Sequence, residues 1–412
     1  MTGAGGLRAA LALTALLALV FASPQDAYAD PAAAATQAAL SGDKTRTTLR
    51  IEMTAGVTAE IFTLANPYRV IVDLPDVSFR LPDGTGQTGT GLVQTFRYGL
   101  FADKKARIVL DTTGPVRIER AAMTAAPADK GIIFTFDMVT TAPESFGLGT
   151  GADRAAEAPA PAAEQPGGAK PRHPGKPIIM IDPGHGGIDG GAVSASNTLE
   201  KNVVLAVGKE LARQLSTSGR YDVRLTRSTD VFISLDQRLG LSSSNDVDLF
   251  ISLHADSLAD VNGASGIRGA TVYTLSERAS DEHARRMAEK ENASDAVAGL
   301  SVGKSQGDDE VKSILFDLMK RETANFSTDF SNVLIRQLKR TMLLSRVPQR
   351  AAAFKVLKQT HSPSVLVELG YLSHPEDEKL LNSPAWHKQT ATAIAGAIET
   401  YFSKRTAGPS VP

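Results

Sequence analysis

The stretch Ile178–Gly191, "IIMIDPGHGGIDGG", changes abruptly from an apolar run to proline, glycine, aspartate and histidine. This pattern predicts a buried strand that ends in a tight turn. Glycine-rich turns after strands often bind phosphate, but this one matches neither the P-loop nor the dinucleotide-binding pattern. The remaining interpretations are a metal-binding loop that presents His185, with Asp182 just before it, and a plain turn.

From residue 177 onwards, segments typical of buried strands alternate with amphipathic segments typical of helices. The predicted strands are "PIIMI", "YDVRLT", "DLFISL", "GATVYTL" and "SVLVEL". Helices are predicted to begin at Glu200, after the N-cap Ser234, and after the N-cap Ser383, and a long helical region covers about 276–345. This alternation predicts an α/β domain with a mostly parallel sheet and helices on both faces.

Side chains able to do chemistry follow three of these strands. His185 lies after the first strand, His254 directly after "DLFISL", and Glu368 near the end of "SVLVEL". Because ligands bind outside the carboxyl ends of parallel strands, we expect these side chains to meet at one edge of the sheet. Glu200 should lie at the same edge, although the start of a helix favours a carboxylate for other reasons as well.

Two histidines and one carboxylate form a common ligand set for catalytic zinc, and a further carboxylate can act as the general base. Spacing alone does not decide whether Glu200 or Glu368 is the ligand. Asp182 and Asp256 are candidates for orienting a histidine ring, and they are equally typical of turns. His361, which precedes the last strand, is a further candidate for the site.

The region before this domain has a different character. Residues 44–140 contain short alternating segments separated by turn residues, which predicts a small all-β sandwich domain. We find no cluster of histidines and carboxylates in it, so we expect a binding or structural role. Residues 141–176 are rich in alanine, proline and glycine and are expected to form a linker.

The N-terminus and the composition indicate the compartment. An apolar run at Leu7–Ala22, followed by "AYA" at Ala27–Ala29, predicts a signal peptide over residues 1–29 and no transmembrane anchor after its cleavage. The absence of cysteine excludes disulfides and thiolate ligands and fits a bacterial periplasm. The net charge of -1 gives no basis for nucleic-acid binding.

Several motifs, in order, resemble a known family. "IDPGHGGIDGGAV", "LEKNVVLAV", "FISLHAD", "GATVYTLS" and "PSVLVELGYLSHPEDEKLL" look like the zinc-dependent N-acetylmuramoyl-L-alanine amidases of the cell-division type. The resemblance covers 177–403 and implies one zinc ion bound by His185, Glu200 and His254, with Glu368 as the catalytic carboxylate. It implies hydrolysis of the amide between the lactyl group of N-acetylmuramic acid and L-alanine, in daughter-cell separation. We expect the loop glycines to give clearance for a glycan–peptide strand.

The segments "YRVIVDLPDVSF", "GLVQTFRYGLF" and "ARIVLDTTGPV" resemble the AMIN module that precedes such domains in Gram-negative amidases. That likeness implies that this domain binds peptidoglycan or the envelope, and that the enzyme lies in the periplasm and is enriched at the division septum.

The distance between two of the motifs is unusually long. His254 and Glu368 are separated by 113 residues, more than a compact core needs. The resemblance implies an inserted regulatory helix, within about 276–345, that covers the site until an activator displaces it. That activator would be a LytM-type periplasmic protein similar to EnvC or NlpD. Glu291 is our choice for the carboxylate that contacts the zinc, with Glu289 and Glu310 as alternatives.

Two other functions remain open from the residues alone. A zinc carboxypeptidase or endopeptidase acting on the stem peptide would use the same ligand chemistry. A non-catalytic protein that binds the cell wall at the septum would have the same fold but would bind no metal ion.

Overall fold

The structure, a computed structural model, describes residues 31–127, 131–146, 175–257, 267–300, 314–359 and 361–406, with the side chains of 314–320 and 406 left out. The predicted signal peptide and most of the predicted linker lie outside these residues. Among the described helices, none is both long and apolar enough to cross a membrane.

The N-terminal part is a sandwich of two sheets. The first sheet has the strand order β5-β1-β2-β9-β8 and the second the order β3-β4-β7-β6. Side chains from both sheets, such as Leu49, Val72 and Phe136, form one buried core between them. The strands are β1 (Ala33–Gly42), β2 (Arg46–Met53), β3 (Glu60–Leu64), β4 (Arg69–Pro75), β5 (Val77–Phe79), β6 (Val93–Ala102), β7 (Lys105–Thr112), β8 (Val116–Ala125) and β9 (Ile132–Thr140).

The domain therefore begins before residue 44, because β1 pairs along most of its length with β2. The alanine-rich β1 has little intrinsic preference for a strand, and its position in the sheet depends on tertiary pairing. A single turn of 3₁₀ helix, Pro143–Ser145, follows β9.

The C-terminal part is built on a six-stranded sheet in the order β11-β10-β12-β15-β13-β14. All neighbouring pairs are parallel except β13 with β15, so the predicted mostly parallel sheet is confirmed. The strands are β10 (Ile178–Pro183), β11 (Asp222–Leu225), β12 (Leu249–His254), β13 (Ala270–Leu275), β14 (Leu344–Ala352) and β15 (Ser364–Glu368).

Helices cover both faces of this sheet, as predicted. On one face α1, α5 and α7 bury residues such as Leu211, Leu334 and Ile394. On the other face Met287 and Phe354 pack over Phe250, with contributions from α2, α3 and the 3₁₀ turn Lys355–Leu357. The helices are α1 (Glu200–Ser218), α2 (Leu235–Ser244), α3 (Glu282–Asn292), α4 (Ser294–Val297), α5 (Ile314–Leu338), α6 (Pro375–Leu381) and α7 (Pro384–Thr406).

The region expected to be helical over about 276–345 contains α3, α4 and α5, and its last residues already belong to β14. This strand was not predicted because "LSRVPQRAA" contains a proline and two arginines, which are unusual inside a sheet. Its position explains them: β14 lies at the sheet edge, where proline is tolerated.

Candidate metal and catalytic site

Three neighbouring parallel strands deliver the predicted side chains to one edge of the sheet. β12 lies between β10 and β15, and in its register with β15 the residue His254 is opposite Glu368. His185 follows β10 in the loop of the "PGHGG" motif, and Glu200 is the first residue of α1. The structure therefore brings all four residues together.

The carboxylate of Glu200 lies between the two imidazole rings. Its Oε2 is 3.2 Å from Nε2 of His185, and its Oε1 is 3.2 Å from Nδ1 of His254. The ring centroids are 4.9 Å apart at an interplanar angle of 77°. One ligand atom from each of the three residues lies within 4.8 Å of the others.

Backbone donors fix this carboxylate, which is fully buried. The N–H of Ala192 donates to Oε2 and the N–H of Ala255 donates to Oε1, both at 2.8 Å. Burial alone would raise the pKa of Glu200, but the neighbouring His185, together with His254, lowers it well below the usual value. The side chain is therefore held as a carboxylate.

His185 adopts a left-handed backbone conformation with φ of 57°, which is rare for a residue other than glycine. Its Nδ1 lies 2.9 Å from Oδ2 of Asp189, so Nε2 faces Glu200. Burial alone would lower the pKa of His185, but the charges of Asp189, Glu200 and Glu291 raise it well above the usual value.

Asp189, rather than Asp182, is thus the carboxylate that orients a histidine ring. Asp182 instead accepts hydrogen bonds from Thr226 and Ser252 and pairs with Arg238. The sequence offered little signal for this choice, because Asp182, at the end of β10, and Asp189, in the following loop, flank His185 at similar distances along the chain.

Two buried arginines hold the backbone of the same loop, and we did not predict them. Arg238 donates to the carbonyls of His185 at 2.7 Å and Pro183 at 2.9 Å, and Arg227 donates to that of Gly184 at 2.7 Å. The sequence shows only that Arg238 lies in the helix predicted after Ser234. The burial of Arg238 is seen in the structure.

Two loop glycines make room for the side chains of the His–Glu–His group, while the clearance for substrate stays a prediction. A Cβ on Gly184 would lie 2.5 Å from Cε1 of His254. A Cβ on Gly191 would lie 2.7 Å from both Oε2 of Glu200 and Cδ2 of His185. The glycines are therefore part of the packing of the site.

Glu368 is fully buried beside this group. Its Oε2 accepts a hydrogen bond of 3.0 Å from the N–H of Asp256. Burial, together with the charges of Asp256, Glu200 and Glu291, raises the pKa of Glu368 well above its usual value. Asp256 does not touch a histidine ring through its carboxylate, which pairs with Lys290.

Glu291, from α3, reaches into the same site and is 5 % exposed. Its Oε2 lies 3.1 Å from Nδ1 of His254 and 3.5 Å from Nε2 of His185. Of the alternatives, Glu289 is exposed and pairs with Arg285, and Glu310 lies outside the described residues. His361 is exposed and takes no part in this group.

The side chains fit a bound cation. Within the described chain, the buried Nε2 of His185 and Nδ1 of His254 have no hydrogen-bond partner, and neither does Oε1 of Glu291 or of Glu368. Buried polar atoms are rarely left unpaired, and a cation would pair with these nitrogens and carboxylates. His185, Glu200 and His254 form the only group in the described residues that meets the geometry for a metal, and two nitrogens with one carboxylate suit zinc.

The fold and the site together define the class of protein. The chain is an α/β enzyme whose sheet carries, at its carboxyl edge, a His–Glu–His group suited to a metal ion and a neighbouring buried glutamate. Comparison with known proteins identifies the family. Residues 179–400 match the family model described as N-acetylmuramoyl-L-alanine amidase, and residues 39–136 match that of the AMIN domain.

Two curated relatives and one solved structure illustrate the likeness. The chain is 39 % identical over 229 residues to N-acetylmuramoyl-L-alanine amidase AmiA of Escherichia coli (strain K12), which covers 55 % of this chain and 77 % of that protein. It is 30 % identical over 383 residues to N-acetylmuramoyl-L-alanine amidase AmiC of Neisseria meningitidis serogroup B, covering 89 % of this chain and 90 % of that protein. The solved N-acetylmuramoyl-L-alanine amidase AmiC2 of Nostoc punctiforme aligns with a TM-score of 0.40 at 27 % identity, covering 56 % of this chain and 98 % of that one.

The chain therefore belongs to the N-acetylmuramoyl-L-alanine amidases, which hydrolyse peptidoglycan, and it has an AmiC-like arrangement with an N-terminal AMIN domain.

The packing of Gly184 against His254 leads to a first prediction. Gly184→Ala should displace the His254 ring and weaken the binding of a metal ion, tested with zinc, by about 10- to 100-fold, the effect typical of disturbing the orientation of a metal ligand. Competition with a fluorescent zinc chelator measures the affinity directly.

Gly190→Ala is the matched control in the same loop, because a Cβ there would only touch Leu199 at an ordinary distance of 3.7 Å. Equal zinc affinity in both variants would contradict the packing role of Gly184.

Proposed function

We propose that this amidase is zinc-dependent and that it cleaves the amide between the lactyl group of N-acetylmuramic acid and L-alanine of the stem peptide. The observation that carries the proposal is the buried His185–Glu200–His254 group in a chain of this family. These three residues would hold the ion. Bound zinc would activate a water molecule and polarise the lactyl carbonyl.

Glu368 is the candidate proton carrier. Water adds to the carbonyl carbon, the carbon–nitrogen bond breaks, and one proton must move from the water to the leaving amine. Burial, first, raises the pKa of Glu368, which is the direction expected for a carboxyl group that takes a proton and returns it. The N–H of Asp256 holds Oε2, which leaves Oε1 to face the reacting groups.

This role can be separated from metal binding. Glu368→Gln keeps the size of the side chain and removes the proton carrier, so hydrolysis of purified sacculi should fall by about 10²–10⁴-fold, the usual contribution of such a group. Zinc content, measured by mass spectrometry of the purified variant, should stay at the wild-type level. A variant with full activity would exclude this role for Glu368.

The bond that is cleaved can be read from the products. Digested sacculi should release intact stem peptides, and chelation of zinc before digestion should stop the release. Shortened muropeptides would instead indicate a carboxypeptidase or endopeptidase. An absence of products together with an absence of bound zinc would favour a non-catalytic wall-binding protein.

We further propose that α3 keeps the resting enzyme inactive. The Glu291 carboxylate approaches both histidine nitrogens and would compete with substrate and water for the open position on the metal. Lys290 pairs with Asp256 and donates to the carbonyl of Ser257, which ties the helix to the strand end that carries His254. A partner that displaces α3 would open the site, and the family resemblance favours a LytM-type activator.

The same resemblance supports a periplasmic enzyme that acts at the division septum during daughter-cell separation. The match of residues 39–136 to the AMIN domain, together with the alignment to AmiC over 89 % of this chain, supports a role of this N-terminal part in attachment to the cell envelope. The signal peptide proposed for residues 1–29 would direct the export.

The inhibitory role of Glu291 predicts a gain of function. Glu291→Gln removes the negative charge that competes for the metal, so basal hydrolysis of sacculi without any activator should rise severalfold. The rate of dye release from labelled sacculi provides the measurement.

Glu289→Gln is the control on the same helix, because Glu289 is exposed and pairs only with Arg285. Inhibition by Glu291 would be excluded if the two variants had the same basal rate as the wild type.

A further inference from the structure

The second sheet of the AMIN domain has an outer face that carries buried charges. Arg69 and Asp73 alternate along β4 with residues of the sandwich core, and Arg107 and Asp111 do the same along β7. Arg69 and Asp73 are each 3 % exposed and Arg107 is fully buried. Arginine and aspartate are rarely buried unless they are paired, so the partners that cover this face need to be identified.

The segment that follows Glu291, residues 296–300, covers this outer face of the sheet. Arg69 donates to the carbonyl of Ala296, Arg97 on β6 donates to that of Val297 at 2.7 Å, and Arg107 donates to that of Ala298 at 3.1 Å. Carbonyls at the end of a helix lack partners within the helix, and α4 ends at Val297. Three guanidinium groups therefore bind three successive carbonyls.

Two of these arginines are held in position by carboxylates. Arg107 makes two hydrogen bonds to Asp73, at 2.5 and 2.8 Å, and Arg97 makes two to Asp111, at 2.5 and 3.2 Å. Such two-point pairs fix the plane of the guanidinium. Each arginine then has a further N–H directed at the segment.

Apolar contacts complete the seat. Gly299 has φ of 74°, and a Cβ there would lie 2.7 Å from Cδ1 of Ile71 and 3.2 Å from Cγ2 of Val109. Ala298 is buried in one cluster with Ile71, Val109 and Phe101. The backbone of the segment thus lies directly on the sheet, and we call the surface formed by Arg69, Ile71, Arg97, Arg107 and Val109 the arginine face.

The same sheet also touches the loop that carries His185. The N–H of Ile188 donates to the carbonyl of Leu100 at 3.0 Å, and Phe101 stacks on Phe232 with centroids 5.8 Å apart. The AMIN domain therefore contacts the metal-site loop and the segment after Glu291 at once.

We propose that the arginine face is the docking surface for residues 296–300 and that this docking holds Glu291 in the metal site. The proposal rests on the inhibitory role of Glu291 argued above. Only Ala293 separates α3 from α4, and Glu291 is the last but one residue of α3, so a shift of the segment is transmitted to Glu291 through α4. Separation of the AMIN domain from the segment would then favour the open site.

Arg97→Ala in the full-length protein tests the docking. Arg97 is half-buried, and Asp111 keeps a hydrogen bond from Thr95, so the AMIN domain should stay folded.

The amides of Ala298, Gly299 and Leu300 donate hydrogen bonds within residues 294–300. Their hydrogen exchange should speed up by roughly tenfold, the effect of losing one hydrogen bond to a charged group. Basal hydrolysis of sacculi should rise in the same variant. Arg117→Ala, at an exposed position of β8, is the control that should change neither.

A second variant tests the seat from the other side. Gly299→Ala would clash with Ile71, whereas Gly219→Ala has the same left-handed backbone and open space around it. Only the first should increase exchange and basal activity. Because Arg97→Ala and Glu291→Gln both relieve the same inhibition by the Glu291 carboxylate, the double variant should be no more active than Glu291→Gln alone.

The outcomes separate this proposal from the one on which it rests. Unchanged exchange in both Arg97→Ala and Gly299→Ala overturns the docking surface, even if Glu291→Gln is activated. Faster exchange with unchanged basal activity, while Glu291→Gln has a higher basal rate than the wild type, overturns the link between docking and inhibition. Faster exchange with a Glu291→Gln variant that keeps the wild-type basal rate supports the docking surface and overturns the inhibitory role of Glu291.

Discussion

The site depends on one buried carboxylate shared by two imidazole rings. Glu200 is fully buried, and each of its oxygens receives one backbone N–H and faces one histidine nitrogen. An isolated buried carboxylate is very unfavourable, so the surrounding elements must keep these donors in position. The N–H groups of Ala192 and Ala255 come from the loops after β10 and β12, and Glu200 itself begins α1. A single side chain thus fixes the relative position of two strand ends and a helix.

Much of this arrangement could be predicted because it follows from the order of the elements. In a parallel sheet, residues just beyond neighbouring strands meet, whatever the loops do in detail. His185, His254 and Glu368 could therefore be assigned to one site from three separated motifs, and the family resemblance distinguished Glu200 from Glu368. Glu291 was chosen from the resemblance as a carboxylate of the inserted helical region, and its carboxylate lies near both histidines in the structure.

What could not be predicted depends on side-chain packing in three dimensions. Asp189 was missed as the partner of His185 because loop residues have no regular spacing. The need for glycine at Gly184 arises from the ring of His254, a residue far away in the chain. Most of the arginine face comes from two similar segments of the sequence, "RVIVD" and "RIVLD". Their antiparallel pairing places Asp73 opposite Arg107. The sequence showed no partner for it, because carbonyl groups carry no sequence signature.

Several contacts hold α3 and the segment after it against the site, in the arrangement that we propose to be inactive. Lys290 pairs with Asp256, and the arginine face binds the carbonyls of residues 296–298. The side chain of Asn292 accepts a hydrogen bond from the N–H of Lys355. The side chain of Asp295 accepts a hydrogen bond from the N–H of Leu235. A hydrogen bond to a charged group contributes about 1.5–3 kcal/mol. Converting a population that is 99 % closed to one that is 99 % open requires about 5.5 kcal/mol of differential binding. Under the proposed inhibitory role of α3, a partner that replaces two or three of these contacts would be sufficient to open the site. By linkage, a substrate that favours the open form would raise the affinity of that partner by the same factor by which the partner raises the affinity for substrate.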